Sequence, residues 1–248
     1  MGRITDTVKH LMIINVIFFV ASQSFGDEAY RLLSIWFPEN ENFGIWQVFT
    51  HMFMHHPTFY LHILMNMFGL WMFGTPLEQM WGRNKFLFFY FSAGLGATIL
   101  PFAIDYYQFN NYYNELLNVG LNSNDIKSIL DTGSYMDFVD VINLTNEQLT
   151  KFYGIFHKSS LGASGAIMGL IAAFGVSFPN AKMSLIFLPI PIAAKYFIPL
   201  VLAYEIISGY TGGSSMFGVN VAHFAHVGGA ITGGLIAWYW KKNQFRMQ

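Results

Sequence analysis

Six apolar runs separated by polar connections set the pattern of this chain. They cover residues 10–23, 58–74, 86–100, 161–178, 196–210 and 222–240. Runs of this kind predict membrane helices, although several fall short of the roughly 20 residues of a full span. Shorter spans imply local bilayer thinning or extension by flanking residues. Prolines punctuate the pattern. Pro57 sits at the first turn of the second run and Pro76 just beyond its end, Pro101 closes the third, and Pro199 lies inside the fifth. The first run follows Arg3 and Lys9 and superficially looks like a signal peptide. No convincing small-x-small cleavage site follows it, so it reads as a retained span.

Composition sharpens this picture. Of 248 residues, 54% are hydrophobic and only 11% are charged, against about 25% charged in soluble domains. The expectation is an all-α polytopic membrane protein, a bundle of six transmembrane helices forming one domain over residues 1–248. The absence of cysteine excludes disulfides, thiolate metal sites and a cysteine nucleophile. A net charge of −1 and the lack of a basic patch give no reason to expect a nucleic-acid partner.

Basic residues orient the bundle. With the N-terminus inside, nine of the thirteen lie in inner segments: Arg3, Lys9, Arg83, Lys85, Lys182, Lys195, Lys241, Lys242 and Arg246. Both termini are then cytoplasmic, in the setting of a bacterial inner membrane. Two outer pieces stand out. Residues 24–56 mix four acids with Trp36, Phe43 and Trp46, as suits a segment lying in the membrane interface. Residues 103–157 carry seven acids and two bases and read as a small helical extracytoplasmic insertion. Helix starts are marked there at Ser123-Asn124-Asp125 and at Leu144-Thr145-Asn146-Glu147.

Polar groups inside spans are costly and therefore candidates for function. The candidates are His62 and Asn66 in the second run, Ser164 at the start of the fourth, Glu205 in the fifth, and His223 and His226 in the sixth. In the oriented bundle His62, Asn66, Ser164 and His226 all fall at one depth below the outer surface. Ser164 lies in Gly162-Ala163-Ser164-Gly165, free of neighbouring bulk, with its N–H among the unpaired donors of a helix start. Such a set can act as a serine–histidine dyad, with Ser164 as nucleophile and His226 as base. His62 and Asn66, four residues apart, share a helix face and can donate to an oxyanion together with the N–H of Ser164. Gly228, Gly229, Gly233 and Gly234 provide a small-residue face to pack on Gly165 and Gly169. No aspartate lies in any span, which argues against an acid-assisted triad, and Glu205 reads as a structural tie. His223, nearly a turn further out than His226, reads as a cap or interface residue. The connection 211–221 reads as a movable cap over the site.

These residues resemble the rhomboid family of intramembrane serine proteases. The likeness rests on His62-Ile63-Leu64-Met65-Asn66, on Gly162-Ala163-Ser164-Gly165, and on Ala225-His226-Val227-Gly228-Gly229 followed by Gly233. Glu78-Gln79-Met80-Trp81-Gly82 matches the family's Glu-x-x-x-Gly element. The resemblance implies the six-helix rhomboid fold, transmembrane proteins as substrates, cleavage near the outer membrane surface, and neither metal nor cofactor. It assigns catalysis to Ser164 and His226, and the oxyanion to Asn66, His62 and the Ser164 N–H. Two positions depart from the family pattern: Gln47 follows Trp46 where some members have an arginine, and Met168 stands where many have a tyrosine. A catalytically silent rhomboid-like protein that binds membrane clients is the alternative. A histidine-based metal site is a third reading, but it lacks carboxylate partners and an H-E-x-x-H helix.

Overall fold

The computed structural model describes residues 3–135, 142–185, 188–212 and 222–243. It is mostly helical. Helix α1 (Asp6–Phe25) is followed by the short α2 (Asp27–Leu33), strand β1 (Ile35–Trp36) and one turn of helix, α3 (Gln47–Thr50), with a tight turn over His51–Phe53. Helices α4 (Tyr60–Gly69) and α5 (Thr75–Trp81) are joined by a wide π turn at Leu70–Gly74. The second apolar run therefore does not stop before Pro76. Pro76 lies in the first turn of α5, but Gly74 and Thr75 keep helical dihedrals and the Thr75 N–H donates to the Trp71 carbonyl, so Pro76 sits inside a continuous helical path and forgoes one backbone bond.

Helix α6 (Arg83–Asn118) runs straight through Pro101, which the sequence reading placed at its end. An internal proline removes one backbone bond and strains the turn before it. Beyond Pro101, packing offsets that cost. Phe109 and Leu116 of α6 join Phe37, α7 (Ser123–Thr132) and α8 (Asn146–Phe156) in a separate apolar cluster built on Ile126, Leu130, Leu149 and Phe152. Both short helices carry capping boxes. Asn122 rather than Ser123 caps α7, and Thr145 caps α8.

Strand β2 (Ser159–Ser160) pairs antiparallel with β1 and leads into α9 (Ser164–Ser177). A hairpin, β3 (Lys182–Leu185) and β4 (Leu188–Ala193), then α10 (Ala194–Thr211) and α11 (His223–Asn243), complete the described chain. The sequence reading left the hairpin as plain connection. The segment 213–221, most of the expected cap, lies outside the described residues.

The main core joins α1, α4–α6, α9 and α11 through Val8, Leu11, Leu70, Leu77, Phe86, Phe89, Ala166 and Leu170. Helices α1 and α6 are long and apolar enough to cross a membrane, yet only 22% and 33% of their apolar stretches are buried. Ile17, Val20 and Phe25 on α1, Leu200 and Ile207 on α10, and Leu235 and Trp238 on α11 all face outward. An outward apolar surface of this extent suits contact with lipid rather than water.

Glu78 of α5 closes one end of the bundle. Its carboxylate accepts the backbone N–H groups of Thr7 and Val8, both at 3.0 Å, and the Thr5 hydroxyl. These are among the unpaired donors of the α1 N-terminus, where a negative charge is favoured. Burial raises the Glu78 pKa, but the bonds from Thr5, Thr7 and Val8 outweigh it and hold the carboxyl below its ordinary range. A depressed carboxylate stabilises the fold above the unfolded-state pKa. That contribution is lost as pH falls through the lower, folded-state value. Glu78→Ala is expected to cost about 1–3 kcal/mol, the usual penalty for stranding buried donors. Thermal unfolding in detergent at neutral pH checks this, and the gap to wild type should shrink toward pH 3.

Candidate active site

Three backbone links hold the loop before α9. Ile35 and Trp36 pair with Ser160 and Ser159, the Phe37 N–H donates to the Lys158 carbonyl at 3.2 Å, and the Gly162 N–H donates to the His51 carbonyl at 2.9 Å. Gly162 has a φ of +129°, a conformation that disfavours side chains. A Cβ at Gly162 would lie 3.4 Å from His62 Nε2 and 3.6 Å from Ser164 Oγ. Gly162 therefore sits between the imidazole of α4 and the hydroxyl of α9. As the first residue of α9, Ser164 has no intrahelical acceptor for its N–H.

Ser164 Oγ lies 2.8 Å from Nε2 of His226, on α11. That approach depends on contact between glycines. A Cβ on Gly229 would fall 1.9 Å from the Gly165 carbonyl oxygen, and one on Gly233 would fall 2.6 Å from Gly169 Cα. Gly228 faces Gly96 of α6 instead, and Gly234 meets only Ala172. A hydroxyl held within hydrogen-bond reach of a neutral imidazole nitrogen can pass its proton to that nitrogen.

Asn66 is buried and donates from Nδ2 to the His62 carbonyl at 2.7 Å. The His56 N–H donates to His62 Nδ1 at 3.2 Å, which makes Nδ1 the acceptor and puts the ring proton on Nε2, the nitrogen that faces Gly162. In the segment before α4, burial lowers His51 to about 4 and His55 to about 3, so both rings stay neutral. Gln47 is fully buried. Its Nε2 donates to the Asn42 carbonyl at 2.8 Å and its Oε1 accepts the Trp36 N–H at 3.3 Å, so a neutral amide fastens this loop. Met168 packs with Ala172 and Ala230.

One residue departs from its sequence reading. Among the described residues, Glu205 meets two imidazoles rather than a backbone group or hydroxyl. Its Oε2 lies 2.7 Å from His223 Nδ1 and its Oε1 lies 3.1 Å from His226 Nδ1. His223, read from the sequence as a cap or interface residue, is buried at the start of α11, and most of the expected cap lies outside the described residues. Behind Ser164 a cavity of about 40 Å³ is lined by His51, Thr98, Asp105, Lys158, Ser160 and Gly162 among others. Ser164 itself and the apolar Ile35, Phe37, Met52 and Phe102 also line it, and its volume is enough for a water beside the polar groups.

Comparison with known proteins adds a second line of support. A Rhomboid domain model matches residues 42–122 and 129–243. Rhomboid protein 1, mitochondrial, of Saccharomyces cerevisiae is 25% identical over 181 residues, covering 73% of this chain and 38% of the yeast protein. Presenilin-associated rhomboid-like protein A, mitochondrial, of Danio rerio is 27% identical over 180 residues, or 72% of this chain and 33% of that protein. The Rattus norvegicus presenilin-associated rhomboid-like protein, mitochondrial, is 27% identical over 188 residues, or 75% and 35%. The chain thus spans between 33% and 38% of the length of these relatives. Their mitochondrial names run against the bacterial inner membrane expected from the sequence.

Proposed function

The chain belongs to the rhomboid family, and from that premise we propose that it is an intramembrane serine endopeptidase. It hydrolyses peptide bonds in or near the transmembrane segments of membrane-protein substrates. The observation that carries this reading is the 2.8 Å approach of Ser164 Oγ to His226 Nε2, between side chains 62 residues apart in sequence.

Catalysis follows the dyad. His226 Nε2 takes the Ser164 proton as Oγ attacks the substrate carbonyl carbon, and the electron pair moves onto the carbonyl oxygen. The Ser164 N–H, the Asn66 amide and the His62 Nε2–H receive that oxyanion. The proton on His226 then passes to the leaving amine. Water from the cavity behind Ser164 hydrolyses the acyl-enzyme, with His226 again as base. No metal or cofactor enters this scheme.

The topology proposed is six spans with both termini cytoplasmic and residues 103–157 outside. Support comes from the two ends of the bundle. Glu78 meets the start of α1, and Lys241 Nζ donates to the Val176 carbonyl near the end of α9 at 2.7 Å. The ends assigned inward are thus held by contacts of their own, while Ser164 and His226 meet at the opposite ends of α9 and α11.

The test is cleavage of a model transmembrane substrate by detergent-solubilised protein, with labelling of Ser164 by an activated phosphonate. A folded preparation that does neither would point to the client-binding alternative. Asn66→Ala is expected to lower turnover about 10²–10³-fold, the usual value of one oxyanion donor, with little change in KM. Nδ2 has two N–H groups and gives one to His62, so the other is free to strengthen its bond as charge develops. An effect confined to KM would make Asn66 a helix tie only.

A further inference from the structure

We propose that Glu205 is a positioning residue for the His226 base, extending the Ser164–His226 pair into a buried relay closed by His223. The inference rests on the assignment of Ser164 and His226 as nucleophile and base, and it concerns a carboxylate on a separate helix.

Geometry carries it. Glu205 is buried on α10, and its two oxygens are divided between two imidazoles of α11. Oε1 lies 3.1 Å from His226 Nδ1, the nitrogen on the far side of the ring from Ser164. Oε2 lies 2.7 Å from His223 Nδ1. His223 and His226 are three residues apart, so both rings reach one side of α11. The His223 contact fixes the carboxylate plane and leaves the second oxygen presented to His226.

His226 can accept the serine proton on Nε2 only if its own proton sits on Nδ1. A carboxylate beside Nδ1 selects that tautomer. It also faces the positive charge that the ring acquires when the proton arrives. The carboxylate stays ionised throughout: the proton moves from Ser164 Oγ to His226 Nε2 and onward to the leaving amine, never to Glu205.

The Nδ1–H does not yet point straight at Oε1, since Nδ1 has no hydrogen bond of full geometry among the described residues. Catalytic contacts are commonly loose without substrate and tighten in the reacting complex. Met168, one turn along α9 from Ser164, packs with Ala172 and Ala230 and brings the imidazole no oxygen or nitrogen. A glutamate with only a tying role needs one partner. Here the second oxygen sits at the nitrogen that sets the tautomer of the base.

Three variants test the proposal, read as kcat and KM on a model transmembrane substrate, phosphonate labelling rate at Ser164, and melting temperature in detergent. Glu205→Gln keeps the shape and can still accept from His223 Nδ1, but it loses the charge. It should lower kcat and the labelling rate together by about 10²-fold, the lower range for general-base assistance, with KM and melting temperature near wild type. Glu205→Asp keeps the charge on a shorter arm and should recover at least tenfold of that loss. His223→Ala should lower kcat only a few-fold, because the carboxylate remains beside His226. Wild-type kcat in Glu205→Gln overturns the proposal, and so does Glu205→Asp as slow as Glu205→Gln. If Glu205→Gln does not fold, a Glu205→Asp enzyme that folds with near wild-type kcat supports the proposal, and one that folds but is slow overturns it. Wild-type protein that neither cleaves nor labels sinks the protease reading itself, a result distinct from all of these.

Discussion

Ser164→Ala is expected to abolish cleavage of a transmembrane substrate and all labelling by an activated phosphonate, with the melting temperature nearly unchanged. The substitution removes one oxygen, whose partner is His226 Nε2 at 2.8 Å. The neighbours Ala163 and Gly165 are small and buried, so no cavity of consequence opens. Losing the nucleophile of a serine protease costs about 10⁶ in turnover. His226→Ala should lose cleavage and labelling alike, because the hydroxyl then has nothing to receive its proton. The double variant should be no slower than either single one, since two groups acting as a unit fail together. Residual cleavage at wild-type rates in Ser164→Ala would remove the mechanism. Loss of labelling in His223→Ala as complete as in His226→Ala would mean that the two rings act as one unit.

The sequence revealed most of the site and little of what orients it. Ser164, His226, His62 and Asn66 were legible because polar groups are rare in apolar runs, and a simple orientation rule put all four at one depth. Their roles remain a proposal, but the structure places Ser164 and His226 in hydrogen-bond contact. Glu205 was visible as a buried acid, yet its partners were not. Which neighbour a side chain on α10 reaches depends on the rotation of α10 against α11, and no local spacing encodes that.

Pro101 failed differently. Local chemistry marks proline as a helix stop, whereas the apolar cluster around Phe109, Leu116 and Phe152 holds α6 together beyond it. Tertiary packing overrode a local signal. The caps of α7 and α8 are local by nature, and they fell within a residue of where Ser123 and Thr145 pointed.

The second large effect is expected from a single methyl group. Gly229→Ala should raise intrinsic helix propensity by about 1 kcal/mol, so a solvent-facing glycine would gain stability from the change. At Gly229 the new Cβ would lie 1.9 Å from the Gly165 carbonyl oxygen, a backbone atom that cannot swing aside. Relief requires α9 and α11 to separate, at a typical overpacking cost of about 1–3 kcal/mol. The net sign is therefore destabilising. Separation at this level acts directly on the site, because Gly165 follows Ser164 and Gly229 lies three residues after His226. A misplacement of about 1 Å can cost 10²-fold in rate, so kcat should fall at least that far and the labelling rate with it. Gly234→Ala is the matched control on the same helix. Its Cβ would meet the Ala172 methyl at 3.8 Å, an ordinary contact, so turnover should stay near wild type and the melting temperature should hold or rise. Wild-type turnover in Gly229→Ala would show that the serine and histidine helices do not depend on this glycine contact to meet.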